Sequence, residues 1–170
     1  DIKTAIYDKG RLLSNISNAR LFDEFCKIFL NGIAEKNFNN LTSFGFNKYL
    51  IGTVPDLTEF TYNLIIEALR NTDKRIHNNQ SVTPGFLIAA LLWPQLIEIS
   101  NQNGEINLRR FFRSMDGILR RQQKLTAIPR KFHTYIKDIW VLQLKLYSRI
   151  GKQPYKTLKH PRFRAAYDFL

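Results

Sequence analysis

The sequence predicts an all-α fold on three observations: apolar side chains recur at spacings of three and four, no strand-like alternation recurs, and helix-start residues precede the apolar runs. With 170 residues, 44% hydrophobic and 13% aromatic, the chain can bury a substantial core, which excludes wholesale disorder.

Asn18 or Ser17 can cap a helix running from Ala19 to Leu30, which the Asn31-Gly32 pair stops. A second helix is expected from Ala34 to Phe44, and Gly52 to Pro55 break the chain again. Thr58 to Arg70 is amphipathic through Phe60, Leu64, Ile65 and Leu69. Thr83 before Pro84 opens the nearly all-apolar run Phe86 to Trp93, which Pro94 is expected to kink or end.

The next helix separates charge from apolarity. On a wheel of about 100° per residue, Arg109, Arg113, Arg120 and Lys124 fall within about 60°, and Arg110 and Arg121 widen the band to about 120°. Leu108, Phe111, Phe112, Met115, Ile118, Leu119 and Leu125 take the opposite side. After Ile128-Pro129 the pattern repeats from Arg130 to Arg149. Phe132, Tyr135, Ile136, Ile139, Trp140, Leu146 and Tyr147 face inward; Arg130, Lys131, Lys137, Lys145 and Arg149 face outward. Gly151 ends that helix, two short segments led by Pro154 and Pro161 follow, and Phe163 to Leu170 reads as an unfinished helix. Both ends of the chain are expected to be cuts rather than natural termini.

Charge gives the first functional indication. Residues 1–85 carry 10 basic and 9 acidic side chains, whereas residues 86–170 carry 16 and 5, for a whole-chain net of +12. Such asymmetry points to a polyanion, because Lys and Arg that neutralise phosphates release condensed counterions. The longest apolar stretch, Phe86 to Ile99, is shorter than the roughly 20 residues a membrane span needs, and no signal-peptide pattern opens the chain, so a cytoplasmic location is expected. Cys26, the only cysteine, sits at helical spacing among Leu21, Phe22, Phe25 and Phe29 and reads as a small core residue.

The residues offer no catalytic constellation. Metal-dependent transfer needs converging carboxylates, and the adjacent acids Asp23 and Glu24 lie on a helix where Arg20 can pair with Glu24 one turn on. The eight glycines are scattered, and His77, His133 and His160 lack the spacing of metal or nucleophile partners. No catalytic, metal or cofactor-binding residue is therefore assigned. The positive signal is basic: Arg109, Arg110, Arg113, Arg120, Arg121, Lys124, Arg130, Lys131, Lys145, Arg162 and Arg164 are the expected RNA-binding residues. Aromatics among the last sixteen residues could stack on bases; Phe163 is expected to close the core, with Tyr155 and Tyr167 left open.

Ordered strings then carry a resemblance. Ser17-Asn-Ala-Arg-Leu-Phe-Asp-Glu24, Asn71-Thr-Asp-Lys-Arg75, Val82-Thr-Pro-Gly-Phe-Leu-Ile-Ala-Ala-Leu-Leu-Trp-Pro94, Asp138-Ile-Trp-Val-Leu-Gln143 and His160-Pro-Arg-Phe-Arg-Ala-Ala-Tyr-Asp-Phe-Leu170 are similar to the C-terminal half of the bacterial poly(A) polymerase family. The last string is the most specific of these, because it helps to separate that family from the related CCA-adding tRNA nucleotidyltransferases. The resemblance implies the helical body and leg of a class II nucleotidyltransferase without its α/β catalytic head: residues 1–16 as the end of the neck, 17–125 as an RNA-binding body and 126–170 as a leg. It implies an enzyme adding AMP from ATP to RNA 3′ ends with Mg2+. ATP and metal would be held by a head before Asp1, so this piece is expected to bind no cofactor and to be inactive alone. Its implied partners are the RNA 3′ end and its own head and neck. Two alternatives stay open: the C-terminal part of a CCA-adding enzyme, or a freestanding helical module that binds an acidic protein.

Overall fold

A computed structural model describes residues 9–52, 58–147 and 153–169. Residues 1–8 of the expected neck end, Pro55, Arg149, Gly151, Leu170 and the Tyr147 side chain lie outside that description.

A 3-10 turn over Gly10–Asn15 leads into α1, Asn18–Phe29, whose first turn is capped by Ser17: its hydroxyl accepts from the Arg20 amide at 3.4 Å. Leu21, Phe25 and Phe29 form the buried stripe of α1. Glu24 pairs with Lys27 at 2.9 Å rather than with the expected Arg20, the i,i+3 partner lying on the same face. Cys26 is half-buried against the core, and burial, with a smaller push from Asp23, holds its thiol above the ordinary range.

Helix α2, Ala34–Ser43, has no cap of its own. Asp73 supplies one from a distance, its two carboxylate oxygens accepting from the amides of Ala34 at 2.6 Å and Glu35 at 3.2 Å. One turn of helix, α3, covers Asn47–Leu50. Helix α4 runs over Glu59–His77, seven residues beyond the expected Arg70, and Thr72, past that point, is still buried.

Helix α5, Pro84–Ser100, is the axis of the molecule: α4, α6 and α7 all pack on it, and every residue from Gly85 to Pro94 is buried. Pro94 lies inside this helix and does not end it, which was one of the two outcomes expected of it. An interior proline costs about 3 kcal/mol. Burying one large apolar side chain returns about 1.5–3 kcal/mol, and Leu91, Leu92, Trp93 and Leu96 all surround the position.

A small antiparallel hairpin, β1 at Asn101–Gln102 and β2 at Glu105–Ile106, interrupts the helical order and was not expected. Its turn residues Asn103 and Gly104 both take positive φ, 55° and 87°, the backbone that a two-residue hairpin favours. The Asn-Gly dipeptide was the missed signal. The hairpin feeds α6, Leu108–Leu125, followed by α7, Lys131–Tyr147, and the short helices α8, Gln153–Leu158, and α9, Phe163–Tyr167.

Helix α9 is shorter than the expected run to Leu170, and the residue that closes the core is Phe169 rather than Phe163. Phe169 meets Trp93 edge-on at 5.4 Å and Phe86 at 6.4 Å, whereas Phe163 is half-buried against Tyr167 at 5.9 Å. No helix among the described residues is long and apolar enough to cross a membrane.

Candidate nucleic-acid interface

The basic face is built on α6. Asn107 opens the helix: its side-chain oxygen accepts from the Arg110 amide at 3.0 Å, while its own amide donates to the Ser100 carbonyl at 2.8 Å. Phe111, Met115, Ile118 and Leu119 anchor the buried side against α5. Anchoring that side directs Arg109, Arg110, Arg113, Arg120, Arg121 and Lys124 to solvent, where all six are exposed. Among the described residues none of the six forms an ion pair, so their charge is not neutralised within the chain.

Asp116, the one acid on α6, is engaged elsewhere. Lys137 Nζ donates to its carboxylate, and that bond, with the smaller fields of Arg120 and His133, holds the carboxyl below the ordinary range. Two residues of the expected apolar face, Leu108 and Phe112, are instead 56% and 47% exposed, although Phe111 between them is fully buried.

The remaining expected residues fall into separate settings. Arg130 and Lys131 are exposed at the start of α7, with the Lys131 ammonium 5.1 Å from the Phe132 ring centroid, and Lys145 is half-buried. Arg162 and Arg164 lie at the start of α9. Arg162 covers the Tyr135 ring at 4.7 Å, and Arg164 donates to Asp168 at 2.9 Å. Tyr155 and Tyr167 are exposed, at 70% and 58%. The three histidines each hold a local hydrogen bond: His77 to the Asp73 carbonyl, His133 to Gln123, and His160 from the Arg162 amide.

Gln122 escaped the sequence reading. Its place at the centre of the apolar side of α6 gave the only hint, since its buried amide bridges Leu50 O and Thr126 Oγ1, each at 2.7 Å. Arg75 is a second residue not singled out as a site; its guanidinium reaches the Ser81 carbonyl at 3.2 Å and Asp168 at 3.8 Å.

A mainly helical scaffold that displays a band of unneutralised cations over a well-anchored helix has the surface charge that suits a polyanion. The chain belongs to the bacterial poly(A) polymerase family, within the C-terminal part of its members: one family model, the polymerase A arginine-rich C-terminus, matches residues 103–170, and another, the probable RNA and SrmB-binding site of polymerase A, matches residues 1–61. Over 170 aligned residues the chain is 37% identical to poly(A) polymerase I of Escherichia coli O157:H7 and 35% identical to that of Salmonella typhimurium LT2, covering 94% of this chain in each case. The enzyme of the same name from Haemophilus influenzae Rd is 35% identical over 174 residues and 97% of this chain. The chain spans 36–38% of the length of these relatives.

The two matched segments are joined in the fold. Asn18, from the first, holds the end of α6, from the second, through its side chain to Lys124 O at 2.7 Å and its carbonyl to the Ala127 amide at 3.0 Å.

Proposed function

We propose that this chain is the RNA-binding C-terminal region of a polymerase that adds AMP from ATP to RNA 3′ ends. The observation that carries the reading is the set of six exposed, unpaired cations on one side of α6. Segment 1–61 holds equal numbers of acidic and basic residues, so attraction for phosphate comes mainly from segment 103–170, with sixteen basic residues against four acidic. Because Asn18 and Gln122 tie α6 to the first segment, an RNA strand on that face lies beside both matched regions.

In this reading the α6 face guides the backbone while Arg130, Lys131 and Lys145 extend the basic surface, and a catalytic head supplies the metal ion and the ATP site. Residues 1–16 then correspond to the end of a neck, 17–125 to the body and 126–170 to the leg, and the protein acts in the cytoplasm. The piece binds without catalysing. Phosphate contacts carry no base information, so binding is sequence-tolerant and strongly salt-dependent.

Replacing Arg109, Arg113, Arg120 and Lys124 together by glutamine tests the reading. Each lost phosphate contact lowers the salt slope for a single strand by about 0.7, so the variant weakens oligoadenylate binding and flattens its dependence on salt. An unchanged affinity and slope would overturn the assignment of this face.

A further inference from the structure

A cleft of about 210 Å³ lies between the end of α4, the first turn of α5, α7 and α9. Three arginines line it, Arg75, Arg162 and Arg164, against a single acid, Asp168. The local charge is therefore positive, and the start of α5, bordering the cleft at Thr83 and Phe86, adds the positive end of a helix dipole.

The arginines are oriented but their donors are largely unused. Asp168, whose side chain is only 14% exposed, receives Arg164 Nε at 2.9 Å and faces Arg75 at 3.8 Å, fixing both guanidinium groups. Arg162 lies over the Tyr135 ring at 4.7 Å. Among the described residues, the Arg162 guanidinium and both Nη atoms of Arg164 have no hydrogen-bond acceptor. Tyr135 is placed by Gly85: a Cβ there would stand 2.9 Å from the Tyr135 ring and 3.2 Å from that of Phe132, so only glycine lets α7 come this close to the start of α5.

Unused, fork-shaped donors converging on a small positive cleft match a phosphoryl group, which guanidinium binds through paired N–H donors. The volume falls below the roughly 300 Å³ at which small-molecule pockets begin, a size that suits a single phosphoryl group. We propose that this cleft holds one backbone phosphate of a bound RNA strand, clamped by Arg162 and Arg164, with Arg75 behind them and Asp168 as a built-in counter-charge that keeps the arginines aligned. The inference rests on the RNA-binding reading and adds to it a second contact point, one that no residue of α6 lines.

The test measures binding of a labelled single-stranded oligoadenylate across a salt series for the whole chain. Arg162→Gln with Arg164→Gln weakens binding about tenfold, the loss of a charged hydrogen-bonded contact, and lowers the salt slope by about 0.7. Unchanged values in the double variant, while the α6 variant loses affinity, overturn the cleft and leave the RNA reading standing. Absence of RNA binding by the unaltered chain overturns both. In a parallel titration with inorganic phosphate, followed through arginine side-chain NMR signals, RNA displaces phosphate from the cleft; phosphate that saturates the cleft and resists RNA assigns the site to a free anion and overturns the proposal.

Discussion

The Asn18 side-chain amide donates to the Lys124 carbonyl at 2.7 Å, across 106 residues of sequence, and so closes the C-terminal turn of the helix that carries the basic face. The last carbonyls of a helix have no intrahelical partner. Asn18 occupies one of them from the start of α1, and its own carbonyl receives the Ala127 amide just beyond. Asn18→Ala removes the side-chain bond and lowers stability by about 1 kcal/mol, read by urea denaturation. Amide exchange rises at Thr126 and Ala127, while α4 keeps its protection.

Gln122→Leu keeps the volume and loses both buried hydrogen bonds, leaving the Leu50 carbonyl without its partner. An unsatisfied buried acceptor costs about 1–3 kcal/mol, so this apolar substitution destabilises despite matching the surrounding core. Thermal unfolding of the two proteins measures the loss.

Gly85→Ala places a methyl 2.9 Å from the Tyr135 ring, and the start of α5 must move away from α7. Overpacking of this kind costs about 1–3 kcal/mol. The circular dichroism melting curve shifts down, and RNA affinity falls with it because the arginine cleft shares that wall.

Trp140 is fully buried on α7 and donates its indole N–H to Ala89 O at 2.9 Å, joining α7 to α5. Trp140→Phe forfeits the bond and part of the packing and lowers stability by about 2 kcal/mol in chemical denaturation, whereas Trp140→Ala costs about 3–5 kcal/mol.

The Lys137 ammonium holds the Asp116 carboxyl below the ordinary carboxylate range. A group depressed in the folded state contributes stability above its unfolded value and loses it as pH falls through the folded one. Lys137→Gln therefore moves Asp116 up toward ordinary titration, visible by carboxyl carbon NMR, and removes that share of the acid sensitivity. The pair is exposed, so the effect on melting at neutral pH is small.

Local chemistry made much of the fold legible. The Ser17 cap, the Pro84 start, the buried stripe of α1 and the division of α6 into basic and apolar sides all follow from neighbours within a turn or two. Where distant residues compete with local preference, local chemistry says less. Pro94 stays inside a helix because surrounding side chains bury it on all sides, and α4 runs seven residues past Arg70 because Thr72 is covered by the rest of the core. Asp73 caps a helix 39 residues before it, which no local motif announces.

The candidate site divides along the same line. The sequence by itself determined that a single helix would carry Arg109, Arg110, Arg113, Arg120, Arg121 and Lys124 on one side, since a period of about 3.6 residues fixes their directions once the opposite side is apolar. Only the tertiary structure decided that Arg75, from the end of α4, meets Arg162 and Arg164 around Asp168. Helical periodicity reaches only across neighbouring turns, whereas those residues are brought together by the burial of α5, and the direction in which one helix leaves another depends on how whole side chains interlock in the core.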